Sequence, residues 1–380
     1  MPYASVDSLQ NLLAKDVFHY AKDAKKAAGR ALGTLVEIIT FYCLKSWGFE
    51  RHTAIERQLP EFANADITHN VEYSLHSATI LGSISFKREI LPLTARKILK
   101  HEAFPVLRVQ AGPPKSNALL TKDLILRNSC TICDTGRYFV NAYLDDFDGQ
   151  GGRLTLAVLR GEPFAIFECK RVGVEEGTKK GPQTIEKAKQ GAYVAKAISS
   201  LQKVRLNDGR VGGLIQKRDG TFRCEEYYSL MAEIITSDDV ELFSRLILAV
   251  GVVSNHGNWF TSAHHNKELK ILAQSYDWLL FLTDTGIAQF VDDLLLNPQE
   301  AVAAARDAFV ASYRGGKRHN RFTKVQLSLG ADAALQSYFA DHADAIANWF
   351  NVIAPRGKGL AVLKDELTVL KNKKLPEIGA

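Results

Sequence analysis

The first strong pattern in the chain is helical. Between 17 and 47, apolar residues recur three and four positions apart, which is the spacing of an amphipathic helix. The positions that carry this spacing are Leu32, Leu35, Val36, Ile39 and Leu44. Gly48 follows as a stop signal, so the pattern predicts a long helix with Glu37 as the acid in its middle.

Three strand-like runs lie close together in the middle of the chain, between 137 and 170. They read RYFVNAYL, RLTLAVL and FAIFECK. The segments between them, DDFDGQGG and RGEP, are rich in turn residues. Because short connections favour antiparallel neighbours, we expect a meander in which 153–159 pairs with 163–170.

The rest of the chain alternates helices and strands. A helix is predicted over about 184–202, buried strands over 246–254 and 278–284, and mostly helix from 285 onward. This order predicts an α/β or α+β fold with a central mixed β-sheet flanked by helices. We expect a core over 1–284 and a mostly helical C-terminal extension over 285–380, packed on that core.

Composition narrows the class of protein only moderately. Over 380 residues, 46% hydrophobic and 9% aromatic residues give a globular composition with a sizeable core. The 48 Lys and Arg exceed the 42 Asp and Glu, and this net charge of +6 is compatible with a polyanionic partner without requiring one. The five cysteines are an odd number, which favours a reducing cytoplasm over a disulfide framework.

Several function classes lack their sequence signals. Cys130 and Cys133 form a lone CxxC, whereas zinc needs about four ligands, so two ordinary thiols are the simpler explanation. The opening MPYASVDSLQ lacks a signal-peptide pattern, and no apolar run reaches the ~18 residues of a membrane span. The chain also lacks a Walker motif. We expect a cytoplasmic protein with no membrane partner and no nucleotide cofactor.

Candidate chemistry stands at the end of the third strand-like run. Glu168 and Lys170 are two positions apart, so on a strand they share one face, ~6–7 Å from each other. The residues before them are apolar on both faces, which predicts a central, covered strand whose end opens into a polar cleft. The ordinary explanation for such a pair is a salt-bridged strand end that emerges into water.

Acids in the preceding loop make a metal site plausible. Under the predicted pairing, the loop that holds Asp145, Asp146 and Asp148 adjoins Glu168. Carboxylates on two neighbouring strand ends suit Mg²⁺, which is bound through one or two carboxylates and keeps several waters. The alternative is an ordinary hairpin turn, because Asp and Gly are common turn residues.

These residues resemble a known family. Asp148 or Asp146, followed by Glu168-Cys169-Lys170, is similar to the PD-(D/E)XK pattern of type II restriction endonucleases. The predicted order of helix, three-stranded meander, helix and further strand is similar to the core of that fold. The segment FECKRVGVEEGTKKGPQTIEKAKQGAYVA also looks like part of a restriction enzyme. The resemblance covers about 30–203, a little under half of the chain.

The resemblance implies Mg²⁺-dependent, sequence-specific hydrolysis of double-stranded DNA that leaves 5′-phosphate and 3′-hydroxyl ends. Asp148 or Asp146 would hold the metal with Glu168. Lys170 would hold or help deprotonate the attacking water, or neutralise charge on the phosphate. Glu37 falls where many members carry an extra acid on the first helix, and it would orient a metal-bound water or complete a second metal site.

Two basic segments are candidates for contacts with DNA. The predicted helix after Lys170 carries Lys189, Lys196 and Lys203 at seven-residue spacing, with Gln190 and Tyr193 beside them, as a phosphate rail would. The segment SYRGGKRHNRFTK, 312–324, contains no acid. Its candidate contacts are Arg314, Lys317, Arg318 and Arg321. A solvated helix face and a solvated loop are the ordinary alternatives.

The chain has one ExK centre, whereas a DNA duplex has two antiparallel strands to cut. We therefore expect a homodimer, because its two-fold symmetry would match that of a palindromic site. Two other functions stay open from the sequence. One is a DNA repair or junction-resolving nuclease of the same fold, and the other is a non-catalytic DNA-binding protein with a nuclease-like core.

Overall fold

The computed structural model gives the chain a mixed α/β fold. It describes residues 5–62, 64–101, 114–173, 191–199, 201–217, 219–244, 246–256, 267–314 and 321–373.

The strands are numbered in chain order. They are β1 Thr53–Pro60, β2 Thr68–Leu75, β3 Ala78–Lys87, β4 Leu93–Thr94, β5 Ala118–Leu120, β6 Ile125–Arg127, β7 Cys130–Asp134, β8 Tyr138–Phe147, β9 Gly151–Arg160, β10 Ala165–Gly173, β11 Gln202–Arg205, β12 Val211–Gln216, β13 Phe222–Glu226, β14 Leu248–His256, β15 Trp278–Leu282, β16 Gln326–Ser328 and β17 Phe350–Ala354.

The helices are numbered in the same way. They are α1 Val6–Asp16, α2 Ala24–Ser46, α3 Ala95–Leu99, α4 191–198, α5 Tyr227–Thr236, α6 Val240–Ser244, α7 Lys267–Ser275, α8 Asp284–Val291 with a π turn at Asp292–Leu296, α9 Ala303–Arg314, α10 Leu329–Asp341, α11 Ala343–Ala347 and α12 Leu360–Lys371.

A six-stranded mixed sheet forms the centre of the molecule, in the order β1-β2-β10-β14-β15-β17. The pairs β10–β14 and β14–β15 are parallel, and the other three pairs are antiparallel. Strand β10 is buried from Ala165 to Cys169, with helix α2 packed on one face and α4 and α7 on the other. The predicted central strand, covered on both faces, is therefore confirmed.

The predicted meander is wrong at its last step. Strands β8 and β9 do pair across the glycine-rich turn, but the second neighbour of β9 is β3, and β10 pairs with β2 and β14. The segment RGEP does not make a hairpin. It carries the chain from one sheet to the other, and Phe164 N donates a hydrogen bond to Leu75 O on β2. Turn residues mark the bend but not the sheet that the next strand joins.

Two smaller sheets are inserted between β2 and β10. One has the order β3-β9-β8-β7, and the other has the order β16-β6-β5-β4. Strand β16 comes from the C-terminal third and pairs with β6 of the insertion, while β17 joins the edge of the main sheet beside β15. The C-terminal third thus packs on the core and completes two of its sheets.

Helix α2 is the long helix that the sequence predicts around Glu37. It begins at Ala24 rather than near 17, because the Asp23 side chain accepts a hydrogen bond from Lys26 N and caps it. Among the described helices, α2 is the one that is long and apolar enough to cross a membrane. However, 67% of its apolar stretch of 18 residues is buried inside the fold. Burial of this kind is that of a core helix.

Candidate active site

The ion pair of Glu168 and Lys170 lies on β10, a central strand of the main sheet. Lys170 Nζ is 3.2 Å from Glu168 Oε2, and the Glu168 side chain is 3% exposed against 38% for Lys170. The Glu168 carboxylate is therefore buried in the protein interior, while the Lys170 ammonium reaches the surface. An exposed salt bridge at a strand end, the ordinary explanation for such a pair, does not describe a carboxylate this deeply buried.

A second glutamate adjoins Glu168 where strand β2 parts from β10. Their ladder runs from Leu75 opposite Ala165 to Tyr73 opposite Phe167 and then ends. The next amide, Glu72 N, donates to Glu168 Oε1 at 3.2 Å. The two strands thus separate at the position of the two glutamates. The Glu72 side chain is only 12% exposed.

A buried lysine from the C-terminal third joins this group. Lys324 Nζ lies 3.3 Å from Glu37 Oε2 on α2 and 3.2 Å from Glu56 Oε1 on β1, and it also contacts Glu72. Its side chain is 7% exposed. The sequence placed Lys324 in the basic segment 312–324, a candidate for DNA contact with a solvated loop as the alternative, but three glutamates from three elements bury it.

Neighbouring backbone holds Lys324 in place. Asn128, which follows β6, donates from its backbone N to Val325 O and from its side-chain Nδ2 to Lys324 O. On the other side, Glu56 has φ = 51°, in the left-handed region. A residue with a Cβ in such a region costs about 1–3 kcal/mol, which persists where the surrounding structure enforces it.

The cluster carries more negative than positive charge. Four carboxylates, on Glu37, Glu56, Glu72 and Glu168, face two ammonium groups, on Lys170 and Lys324. The formal sum is −2 when all of them are ionised. We call these six residues the glutamate–lysine cluster.

Burial raises the pKa of two acids of the cluster, Glu168 and Glu37. Desolvation raises the pKa of Glu168, and the neighbouring Lys170 charge offsets part of this rise. Desolvation likewise raises the pKa of Glu37, against the lowering effect of Lys324 and, more weakly, of Lys170. Both carboxylates would ionise more readily if further positive charge entered the cluster.

The chemistry of the donor set fits a hard divalent cation. Its ligands would be carboxylate oxygens, and a charge of +2 would balance the formal −2. Within the described ranges, no three His, Cys, Asp or Glu side chains are arranged as a metal-binding group. Lys324 Nζ stands among three of the four glutamates, where it supplies positive charge.

Helix α4 covers the face of β10 from which Glu168 and Lys170 project. A Cβ on Gly191 would overlap the Tyr276 hydroxyl and would lie 3.5 Å from Lys170 Cε and 3.8 Å from Glu168 Cβ. Only a residue without a side chain lets the helix approach this closely. Gly191 therefore fixes how α4 lies over the ion pair.

The aspartates that the sequence predicted as metal ligands lie on a different sheet. Asp145 pairs with Arg51 and Arg153, and Asp146 pairs with Arg153. Asp148 accepts from Gln150 N and Gly151 N and so closes its own turn. The prediction that they adjoin Glu168 is wrong because it rested on the pairing of β9 with β10.

The predicted DNA contacts have mixed outcomes. Lys189, Gln190, Lys317 and Arg318 lie outside the described residues, as does the Arg314 side chain at the end of α9. Tyr193 and Lys196 are exposed on α4, and Arg321 is half-exposed, 3.4 Å from Asp123.

Lys203 does not continue the predicted lysine stripe. Helix α4 ends at 198, and Lys203 belongs to β11. Its Nζ donates to Tyr276 O at 2.6 Å in a largely buried position.

Sequence reasoning missed Glu56, Glu72 and Lys324. Glu72 precedes Glu168 by 96 residues, and two inserted sheets separate them in the chain. The signal that was present is weak: THNVEYSL and TAIERQLP each carry an acid in the middle of a strand-like run.

Comparison of the chain with models of known families, with curated proteins and with solved structures finds no match. The case for a function therefore depends on the geometry of this cluster.

Proposed function

We propose that this chain is a Mg²⁺-dependent endonuclease that hydrolyses phosphodiester bonds in double-stranded DNA, with a centre of the PD-(D/E)XK type. The observation that carries the proposal is the buried Glu168, which is paired with Lys170 and hydrogen-bonded to the Glu72 amide where β2 and β10 part. Two acids and a lysine at the split of two central strands are the groups that this chemistry needs.

The connectivity of the main sheet supports this proposal. The resemblance implies a helix, a three-stranded antiparallel meander, a helix and a further strand. Here α2 is followed by β1, β2 and β10 in antiparallel order, then by α4, then by β14 parallel to β10. The inserted sheets interrupt the meander between its second and third strands without changing its order.

The roles of the acids follow from this arrangement, with one change from the sequence. Glu72, rather than Asp146 or Asp148, is the acid beside Glu168, so Glu72 and Glu168 would hold the metal. Bound Mg²⁺ would polarise the scissile phosphate and lower the pKa of a bound water. Lys170 is exposed enough to reach a phosphate oxygen from its place beside Glu168, and Glu37 on α2 would orient a water near the metal.

Lys324 has a defined place in this proposal. Its ammonium neutralises Glu37, Glu56 and Glu72 before the metal arrives, and so limits the repulsion among buried carboxylates. Binding of Mg²⁺ would then compete with Lys324 for the Glu72 carboxylate.

Cleavage at a specific sequence by a homodimer, as in type II restriction enzymes, is the form of the activity we favour. A repair or junction-resolving nuclease on the same fold is the second candidate. A non-catalytic DNA-binding protein is disfavoured by the buried, unbalanced charge of the cluster. Three carboxylates around one ammonium, beside the buried Glu168, are costly to keep unless they bind something.

The deciding experiment incubates the purified chain with phage DNA and supercoiled plasmid, with Mg²⁺ and then with EDTA. We expect discrete fragments with Mg²⁺ and intact DNA with EDTA. A smear would point to a non-specific nuclease, selective cutting of branched DNA to the repair candidate, and intact DNA in every condition would refute the proposal.

Variants locate the centre. Glu168→Gln and Glu72→Gln should each abolish cleavage, whereas Asp148→Asn, which alters only a surface turn, should cut like the wild type. The opposite result, with Glu72→Gln active and Asp148→Asn inactive, would contradict the role of Glu72 and would support the metal ligand that the sequence predicted.

A further inference from the structure

A histidine–glutamate pair lies beside the glutamate–lysine cluster and has no part in the roles above. His69 Nε2 is 2.7 Å from Glu61 Oε1, and Tyr193 Oη donates to the same oxygen at 2.9 Å. The rings of His69 and Tyr193 meet edge to face, with centroids 5.7 Å apart. The imidazole is thus fixed by a carboxylate on one side and by an aromatic ring on the other.

These contacts set the tautomer of His69. The hydrogen bonds from His69 and Tyr193 lower the pKa of Glu61, so its carboxylate is ionised and accepts a hydrogen bond from Nε2–H. In a neutral imidazole that donates from Nε2, the lone pair is on Nδ1. Within the described part of the chain, Nδ1 has no hydrogen-bond partner.

The pair shares a face of the main sheet with Glu168 and Lys170. His69 stands directly opposite Leu59, which packs with Ile166 and Ala192 in the cluster under α4. Glu168 is two residues from Ile166 on β10 and so has the same orientation. Both groups therefore point toward the layer that α4 covers.

One turn of α4 joins the two groups. Gly191 approaches Lys170 and Glu168, and Tyr193, two residues later, contacts His69 and Glu61. A substrate phosphate held by Lys170 at the edge of α4 would thus lie on the same side of the sheet as the imidazole.

The proposed reaction needs a group that accepts a proton, and Lys170 is poorly placed for it. Its ammonium is ion-paired with Glu168, so loss of its proton would break that pair. We propose that His69 is the catalytic base, which takes a proton from the attacking water at Nδ1, and that Glu61 is its positioning residue. This inference rests on the proposed nuclease function.

The step balances without another reactant. The electron pair of the water oxygen forms the new bond to phosphorus as Nδ1 takes the proton. The bond from phosphorus to the 3′-oxygen breaks, and that oxygen leaves with the electron pair and takes a proton from solvent. The imidazolium then returns its proton to water.

Two groups hold the imidazole of His69 in place. They are Glu61 from the β1–β2 connection and Tyr193 from α4. Glu61→Gln keeps the size of the side chain but removes its charge, so the carboxylate no longer orients the imidazole. We expect this variant to slow the chemical step while DNA affinity stays unchanged.

The test measures single-turnover plasmid cleavage at saturating Mg²⁺, and DNA binding in Ca²⁺ by fluorescence anisotropy. The variants are His69→Ala, His69→Gln and Glu61→Gln, with His19→Gln, at an exposed histidine between α1 and α2, as the matched control. We expect His69→Ala to slow the chemical step by roughly 10²–10⁴-fold with DNA affinity unchanged.

Added imidazole should restore part of the rate in His69→Ala but not in His69→Gln, which fills the space. A purely structural role for His69 would show no such rescue and would weaken DNA binding as well. Cleavage at the wild-type rate in both His69 variants would overturn this inference alone. A wild type that leaves DNA intact would overturn the nuclease proposal and the inference with it.

Discussion

Replacing Lys324 by methionine tests the charge balance of the glutamate–lysine cluster directly. Methionine keeps the length and the apolar stem of the side chain but removes the ammonium. Breaking a fully buried ion pair costs about 3–5 kcal/mol. Glu37 is 30% and Glu56 59% exposed, so water compensates part of the loss. We therefore expect a cost of about 2–3 kcal/mol at pH 8.

This cost corresponds to a measurable shift in melting temperature. At about 2.1 cal/mol/K per residue, 380 residues that unfold as one unit have an unfolding entropy of about 0.8 kcal/mol/K. A loss of about 2–3 kcal/mol then lowers the Tm by about 3 °C. Differential scanning calorimetry resolves this shift, and Lys87→Met, at an exposed lysine on β3, is the matched control.

The pH dependence of this loss has a definite sign. Without Lys324, the pKa of Glu37 rises further above its unfolded value, so the folded state holds a proton that the unfolded state has released. Stability then falls as the pH rises through that interval, and the deficit of Lys324→Met against wild type should shrink between pH 8 and pH 5.

Mg²⁺ gives a second readout that does not depend on cleavage. A divalent cation should take over the role of the ammonium, and at about 100 times its Kd it stabilises the folded state by about 2.7 kcal/mol. We expect a larger rise in Tm with Mg²⁺ for Lys324→Met than for wild type, because no lysine competes for the carboxylates. Equal Tm values at pH 8, with equal responses to Mg²⁺, would refute the reasoning.

Three further predictions concern the same region. Gly191→Ala should abolish cleavage, because the new methyl group displaces α4 from Lys170. Gly359→Ala is the control, since Gly359 is exposed before α12 and a Cβ there meets no atom within 4 Å; full activity in Gly191→Ala would contradict the packing described. Because burial raises the pKa of Glu168, Mg²⁺ binding measured by calorimetry should weaken toward acid at a higher pH than for an exposed glutamate; affinity that stays constant down to pH 4.5 would be inconsistent with this. Light scattering with a specific duplex should give the mass of two chains, and a single chain per duplex with lasting nicked circles would exclude the dimer.

The elements that could be predicted from the sequence are those with a strong local pattern. Helix α2 and strands β10, β14 and β15 are each defined by their own apolar residues, and the Glu168–Lys170 pair follows from the alternation of one strand. Strands β1 and β2 were not assigned, because their runs are short and mix polar with apolar positions.

The partners of Glu168 were not predictable for a different reason. Which strand lies beside β10 depends on packing between segments far apart in the chain, whereas turn residues report only on their immediate neighbours. The basic character of 312–324 similarly favoured a surface position for Lys324. Its burial becomes favourable only when α2, β1 and β2 bring three carboxylates together around it.

The pairing of β16 with β6 has a consequence for the synthesis of the protein. Domains fold as the chain emerges from the ribosome, N-terminal parts first. Glu37, Glu56, Glu72 and Glu168 are all translated well before Lys324, which Asn128 and β16 hold in the cluster. During translation, the four acids are present without one of their two lysines. A nascent chain therefore acquires the charge balance of its centre late, after most of the main sheet has been made, and a chain stopped before β16 would never acquire it.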